Sequence, residues 1–167
     1  MPLSGAESPA PGQALPLSPL SPLSPEPPPL RLEIPYDMAA LEPARLAALR
    51  HVEGHKLSAR AVYRLELVLE EALMNRLWHA MPEGSPARLA GLIRVSLRVL
   101  PDTLELCVED DGVPFDPTQA PEAPVPATLE QARPGGLGLM LTRKAVHTMH
   151  HERRDGRNRL TLQIARD

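Results

Sequence analysis

This chain is poor in aromatic residues, cysteine and charge of either sign in excess. Of its 167 residues one is Trp, two are Tyr and one is Phe. A core built from such a sequence must be aliphatic, made of Leu, Val, Ile, Ala and Met. The single cysteine, Cys107, excludes an internal disulfide and any zinc site needing two thiolates. With 18 Lys+Arg against 21 Asp+Glu, the formal charge is −3. That balance offers no electrostatic case for nucleic acid or an anionic membrane. Outside the Pro-rich start no 18-residue stretch lacks charged residues, so no span crosses a bilayer. The start itself, MPLSGAESPAPG, lacks the basic and unbroken apolar regions of a signal peptide. The expectation is a cytoplasmic protein of one domain, with a tail.

Proline, by contrast, is abundant, with 21 residues, ten of them within residues 1–29. Leu17 to Pro25 reads LSPLSPLSP, a repeat that favours polyproline II and has too little apolar surface to fold. Residues 1–29 are therefore expected to be a disordered tail, and residues 30–167 the folded domain. Arg31 to Pro35 alternates as a short strand. Leu41, Leu46, Leu49 and Val52 have helical spacing, with Gly54 as a stop. Ser58 is a natural N-cap for a helix from Ala59 to about Ala80. Two apolar runs, Leu89–Leu100 and Thr103–Val108, read as a hairpin, the first partly helical in an alternative reading. A Pro-rich loop, Val113–Pro134, precedes a helix predicted over Gly136–Met149. The segments His150–Arg154 and Arg159–Ala165 close the chain as strands around the turn Asp155–Asn158. This order predicts an α/β fold with a mixed sheet and helices on one face.

Three short constellations carry the chemistry. Glu71 and Asn75, four apart, share one flank of the long helix, while Glu70 points to solvent. Asn beside a helix core is unfavourable by propensity. A carboxylate and a carboxamide there can hold a hard cation and orient a hydroxyl; a partly buried polar pair is the other reading. Next, Val108–Pro117 runs from an apolar strand into acids and Gly112. Asp110 at the strand end can accept a hydrogen bond from an exocyclic amine such as adenine's, and Gly112 permits close approach. An ordinary Asp-Gly turn would look the same. Last, Gly135-Gly136-Leu137-Gly138-Leu139 opens an apolar helix. Free amides and the helix dipole make such a start suited to phosphate, or the glycines form a hinge. It lacks the Gly-Lys-Ser/Thr of a P-loop and follows a loop instead of a Rossmann strand. The loop of roughly 20 residues between the last two has the length of a functional lid.

Taken together, Glu70 to Ala80 (EExxxNxxxHA), Asp110 to Pro117 (DxGxPFDP), Gly135 to Leu139 (GGLGL) and Glu152 to Leu162 (ERRDGRNRLTL) resemble the N box, the two glycine boxes and the C-terminal hairpin of bacterial anti-sigma-factor serine/threonine protein kinases. These belong to the superfamily of gyrase, heat-shock chaperone and histidine-kinase ATPases. The resemblance spans about residues 30–165. It implies the Bergerat ATP-binding fold, a two-layer α/β sandwich, with ATP and Mg2+ as cofactors. It places Asn75 on the magnesium, Asp110 on adenine, Gly112 against the base and the amides of Gly135, Gly136, Leu137, Gly138 and Leu139 against phosphates. Glu71 becomes the general base, and Thr161 a water-mediated support for adenine. It further implies phosphorylation of a serine on an anti-anti-sigma partner, sequestration of a sigma factor, and a homodimer. The alternatives are a nucleotide-gated binding switch with little turnover, and a detached histidine-kinase catalytic domain, against which stands the missing phospho-acceptor helix.

Some residues depart from the pattern. Pro114 replaces a second Gly of distant members. His147 and His151 stand where relatives carry Asp and Tyr, and read as changes in packing or partner choice. Arg76, directly after Asn75, could pair with a Glu or reach phosphate, but reads first as an exposed helix Arg. The lid's six prolines suggest stiffness. His150 and His151 point to opposite sides of a strand, against a metal site there.

Overall fold

Alternation in the strands and the stripe on the long helix decide how this chain packs. The structure, a computed structural model, describes residues 27–82, 84–121 and 136–167. The first strand, β1 (Leu30–Pro35), is followed by a 3-10 turn at Met38–Ala40. Helices α1 (Leu41–Val52), α2 (Ala59–His79) and the short α3 (Pro86–Ala90) come next. Then follow β2 (Leu92–Val99), β3 (Thr103–Asp110), α4 (Gly136–Ala145), β4 (Thr148–Arg154) and β5 (Arg157–Ala165). Residues 1–26 of the expected tail, residues 122–134 of the Pro-rich loop and Gly135 lie outside the described residues.

The strand order is β1-β2-β3-β5-β4, and every neighbouring pair is antiparallel. The two-layer α/β sandwich is as expected; the mixed sheet is not. The helical crossover through α4 makes β3 and β4 run the same way. Strand β5 lies between them and pairs with both, so no parallel ladder forms.

Helix α2 covers one face of this sheet. Its N-cap is Ser58, whose Oγ accepts from the Ala61 amide at 3.0 Å. Leu65, Val68, Leu69, Ala72, Leu73 and Leu77 are buried along its inner side. They pack on Ile93, Val95 and Leu97 of β2, Leu104, Leu106 and Val108 of β3, and Leu160, Leu162 and Ile164 of β5. The result is the aliphatic core that the missing aromatics require. The opposite face of the sheet is a layer of charge, with Arg94–Glu33 at 3.6 Å, Arg98–Glu105 at 3.3 Å and Arg159–Glu109 at 3.4 Å.

Two boundaries differ from expectation. Helix α4 stops at Ala145, four residues before Met149, because the His147 amide bonds to the Gln163 carbonyl and draws the chain into β4. The closing turn is also tighter. Asp155 and Gly156 both have positive φ, 52° and 78°, as a two-residue hairpin of the right twist requires. Arg157 and Asn158 therefore lie inside β5, paired with Arg154 and Arg153.

Candidate functional site

Helix α2 carries the first part of the site on its flank. Glu71 and Asn75 are partly exposed, and Glu70 is exposed, as helical spacing predicts. Glu71 faces the first turn of α4: a Cβ built on Gly138 would overlap the Glu71 carboxylate. A side chain there would require the flexible Glu71 carboxylate to move aside. Burial pushes the Glu71 carboxyl above its ordinary pKa, and Glu70 pushes it further the same way. A carboxylate so raised is better matched to accepting a proton near neutrality. Gly136, Leu137, Gly138 and Leu139 occupy the start of α4. Gly135 lies outside the described residues.

The second part sits at the end of β3. Asp110 is fully buried, and its Oδ1 accepts from the Gly112 amide at 2.8 Å and from Asn158 Nδ2 at 3.0 Å. Gly112 abuts the last turn of α2: a Cβ there would strike the Ala80 carbonyl and side chain. The neighbouring Val113 amide bonds to the Ala80 carbonyl at 2.8 Å. Asn158 Nδ2 also donates to the Val113 carbonyl at 2.8 Å, and its Oδ1 accepts from Arg153 at 2.8 Å. One β5 amide side chain thereby ties the acid to the loop that follows it.

The other Asp110 oxygen, Oδ2, lies 2.5 Å from Arg76 Nε. Arg76 is 3% exposed, which corrects its reading as a solvent-facing residue. The α2 stripe explains it, since 76 stands four past Ala72 and seven past Leu69. The ion pair is one of charge more than direction: Arg76 Nε, Arg76 Nη2 and Asp110 Oδ2 have no aligned hydrogen-bond partner among the described residues. Burial holds the guanidinium below its ordinary pKa, opposed by Asp110. Beside the pair, the buried Tyr36 hydroxyl also lacks a hydrogen-bond partner among the described residues. Its phenol is pushed up to about 12, by burial first and then by Asp110 and Asp111.

Residues 34–164 match the histidine kinase-like ATPase domain family. The chain belongs to that family. It is 42% identical over 105 residues to the serine/threonine-protein kinase BtrW of Bordetella bronchiseptica, covering 63% of this chain and 71% of that protein. Its fold resembles the crystal structure of the RsbU and RsbW domains of Rv1364c from Mycobacterium tuberculosis, with a TM-score of 0.58 at 15% identity. That likeness covers 84% of this chain, which spans 34% of the mycobacterial chain.

One residue expected in the ATPase site does not reach it. Thr161 pairs with Cys107 and lies between the core residues Leu160 and Leu162, so it faces the charged side of the sheet. Asn158, paired with Asp110, is the β5 residue on the site's side. The period of two from Leu160 and Leu162 back to Asn158 was the signal for it, hidden by assigning Asn158 to the turn. His147 is exposed, while His151 Nδ1 lies 3.6 Å from Asp116. Asp116 receives the Thr118 hydroxyl at 2.6 Å, and this bond is the main cause of its lowered pKa. Arg143 of α4 donates to the Pro117 carbonyl at 2.8 Å and to the Ala120 carbonyl at 2.5 Å, fastening the first part of the Pro-rich loop to that helix.

The donor set suits a nucleotide's metal better than a resident one. Among the described residues there is no group of three His, Cys, Asp or Glu that could hold a metal ion. Magnesium typically needs only one or two protein oxygens when phosphates and water supply the rest. Asn75 offers one such oxygen, one helical turn past Glu71 on the flank of α2. No helix among the described residues is long and apolar enough to cross a membrane.

Proposed function

We propose that this chain is a cytoplasmic regulatory kinase that uses MgATP to phosphorylate a serine of an anti-anti-sigma partner and that sequesters a sigma factor, working as a homodimer. The observation that carries the reading is the apposition of Glu71 to Gly138, which brings a carboxylate of raised pKa against a glycine-rich helix start. The BtrW relative, a serine/threonine-protein kinase, supports the same chemistry. Bound MgATP would supply the phosphoryl group. Glu71 would take the proton from the attacking serine hydroxyl. Asn75 would hold the magnesium, and the amides of Gly135, Gly136, Leu137, Gly138 and Leu139 would face the phosphates. Asp110 would accept from the adenine amine, with Gly112 shaping the base pocket. Such catalysis is mostly positioning and charge neutralisation.

A second reading, a nucleotide-gated binding switch with little turnover, draws on Arg76, whose pairing with Asp110 ties the base-reading acid to an internal cation. The test is incubation with labelled ATP and a candidate antagonist protein. Transfer of label to a serine, abolished by Glu71→Gln, supports the kinase. Nucleotide-dependent partner binding without transfer supports the switch.

A further inference from the structure

Asp110 can read adenine only through an oxygen that is free to accept. Oδ1 already takes two hydrogen bonds, from Gly112 and Asn158. Only Oδ2 remains, and Arg76 Nε stands 2.5 Å from it. The carboxylate is 0% exposed and the arginine 3%, so no incoming amine meets Oδ2 with Arg76 where it is. The arginine comes from the buried stripe of α2, one residue beyond the proposed magnesium ligand Asn75, so it enters the base region from the helix that also serves the phosphate end. Its contact is poorly directed, and two of its nitrogens lack hydrogen-bond partners among the described residues. A side chain with two buried nitrogens unaligned to any partner among the described residues, beside a Tyr36 hydroxyl in the same state, is poised to be displaced more readily than one locked by aligned bonds.

We propose that Arg76 is a built-in plug of the adenine subsite, so that nucleotide binds only the fraction of molecules in which Arg76 has left Asp110. This rests on the nucleotide reading of the site. The apparent affinity for ATP is then lowered by the size of that fraction, and deleting the plug restores it. Arg76 is a specificity-setting and regulatory residue on this view: anything that draws it away, including a partner docking against α2, raises ATP affinity by the same factor.

The experiment titrates MgATP into the 167-residue chain, its Arg76→Ala variant and its Arg76→Gln variant, by calorimetry and by thermal shift. Both variants are expected to bind ATP about tenfold or more tightly than wild type. They are also expected to melt lower without nucleotide and to gain more from it. Folded variants that bind ATP as wild type does, or more weakly, overturn the plug while leaving the nucleotide site intact. Absence of ATP binding by wild type and by both variants overturns the nucleotide reading, and the plug with it. Because these variants can fail to fold, stopped-flow binding to wild type is the second measurement. The observed rate should reach a plateau with rising ATP, set by Arg76 leaving. A rate that climbs linearly throughout overturns the proposal.

Discussion

The two faces of the sheet hold arginine–carboxylate pairs of the same chemistry in opposite settings. On the open face Arg159 is half exposed and lies 3.4 Å from Glu109 and 3.7 Å from Glu152. On the covered face Arg76 and Asp110 are sealed at the edge of an aliphatic core. Water screens the first kind of pair, and holding two long side chains together offsets most of the attraction. The second kind lost its hydration on folding, and well-packed apolar residues would often serve stability as well or better. The difference separates decoration from commitment. Exposed pairs follow from a strand needing a polar outer side, whereas a buried pair at the end of β3 asks for a reason beyond the fold.

The same deletion on the two faces should therefore give very different results. Arg76→Ala leaves Asp110 buried without its cation, a situation that generally costs about 3–5 kcal/mol. Denaturant unfolding should show a drop of that order. A loss below about 1 kcal/mol would mean that the pair is no more committed than those outside. Asp110→Ala should be at least as harmful, because Asn158 and the Gly112 amide lose their acceptor as well.

A second prediction concerns chemistry on the flank of α2. Glu71→Gln keeps shape and removes the base, so it should bind MgATP and lose about a hundredfold or more in phosphoryl transfer. Transfer at the wild-type rate would end the assignment of Glu71 as base. The exposed neighbour Glu70 has a subtler effect, since its charge contributes to raising the Glu71 pKa. Glu70→Gln should retain turnover at neutral pH and shift the acid limb of the pH–rate profile to lower pH. An unmoved limb would show that burial alone sets Glu71.

How much of this could be read beforehand depended on whether a signal was periodic or tertiary. The α2 stripe, its Ser58 cap and the Glu71–Asn75 flank follow from 3.6-residue spacing, and all stand where that spacing puts them. Family motifs pointed to Asp110 and to the α4 glycines, and the fold brings Gly138 to Glu71. Periodicity was equally available for Arg76 and Asn158, yet residue type overrode it. An arginine is so seldom buried, and an Asn after Asp-Gly so often in a turn, that the pattern lost to the prior. Thr161 failed for the complementary reason: a motif named the residue, but a strand's alternation decides its face. The end of α4 and the all-antiparallel sheet depended on where β5 inserts, which no local signal encodes.

A third prediction follows from the raised pKa of Glu71. A carboxyl whose pKa is higher folded than unfolded favours folding in its protonated form. That contribution is fully present below the unfolded pKa and disappears as pH rises through the folded one. At neutral pH wild type therefore carries a partly buried charge that Glu71→Gln lacks. The variant should melt higher than wild type near pH 7, and the gap should close as the pH falls below the usual carboxylate range. Thermal melts across that range check it. A gap independent of pH would assign the effect to packing against Gly138 and not to ionisation.

The smallest expected effect completes the comparison of faces. Arg159 reaches Cys107 Sγ at 3.3 Å and two glutamates, and the Cys107 contact is the largest contribution to its raised pKa. Its side chain is nevertheless half exposed, so solvent screens all three interactions. Arg159→Ala should cost about 0.2–1 kcal/mol, and raising the salt to about 1 M, where the screening length falls to about 3 Å, should remove most of that difference. Arg76→Ala should keep its deficit at the same salt, because ions do not reach a pair sealed between α2 and β3. If both deficits shrink equally with salt, the Arg76–Asp110 pair is open to solvent, and the distinction between the two faces fails.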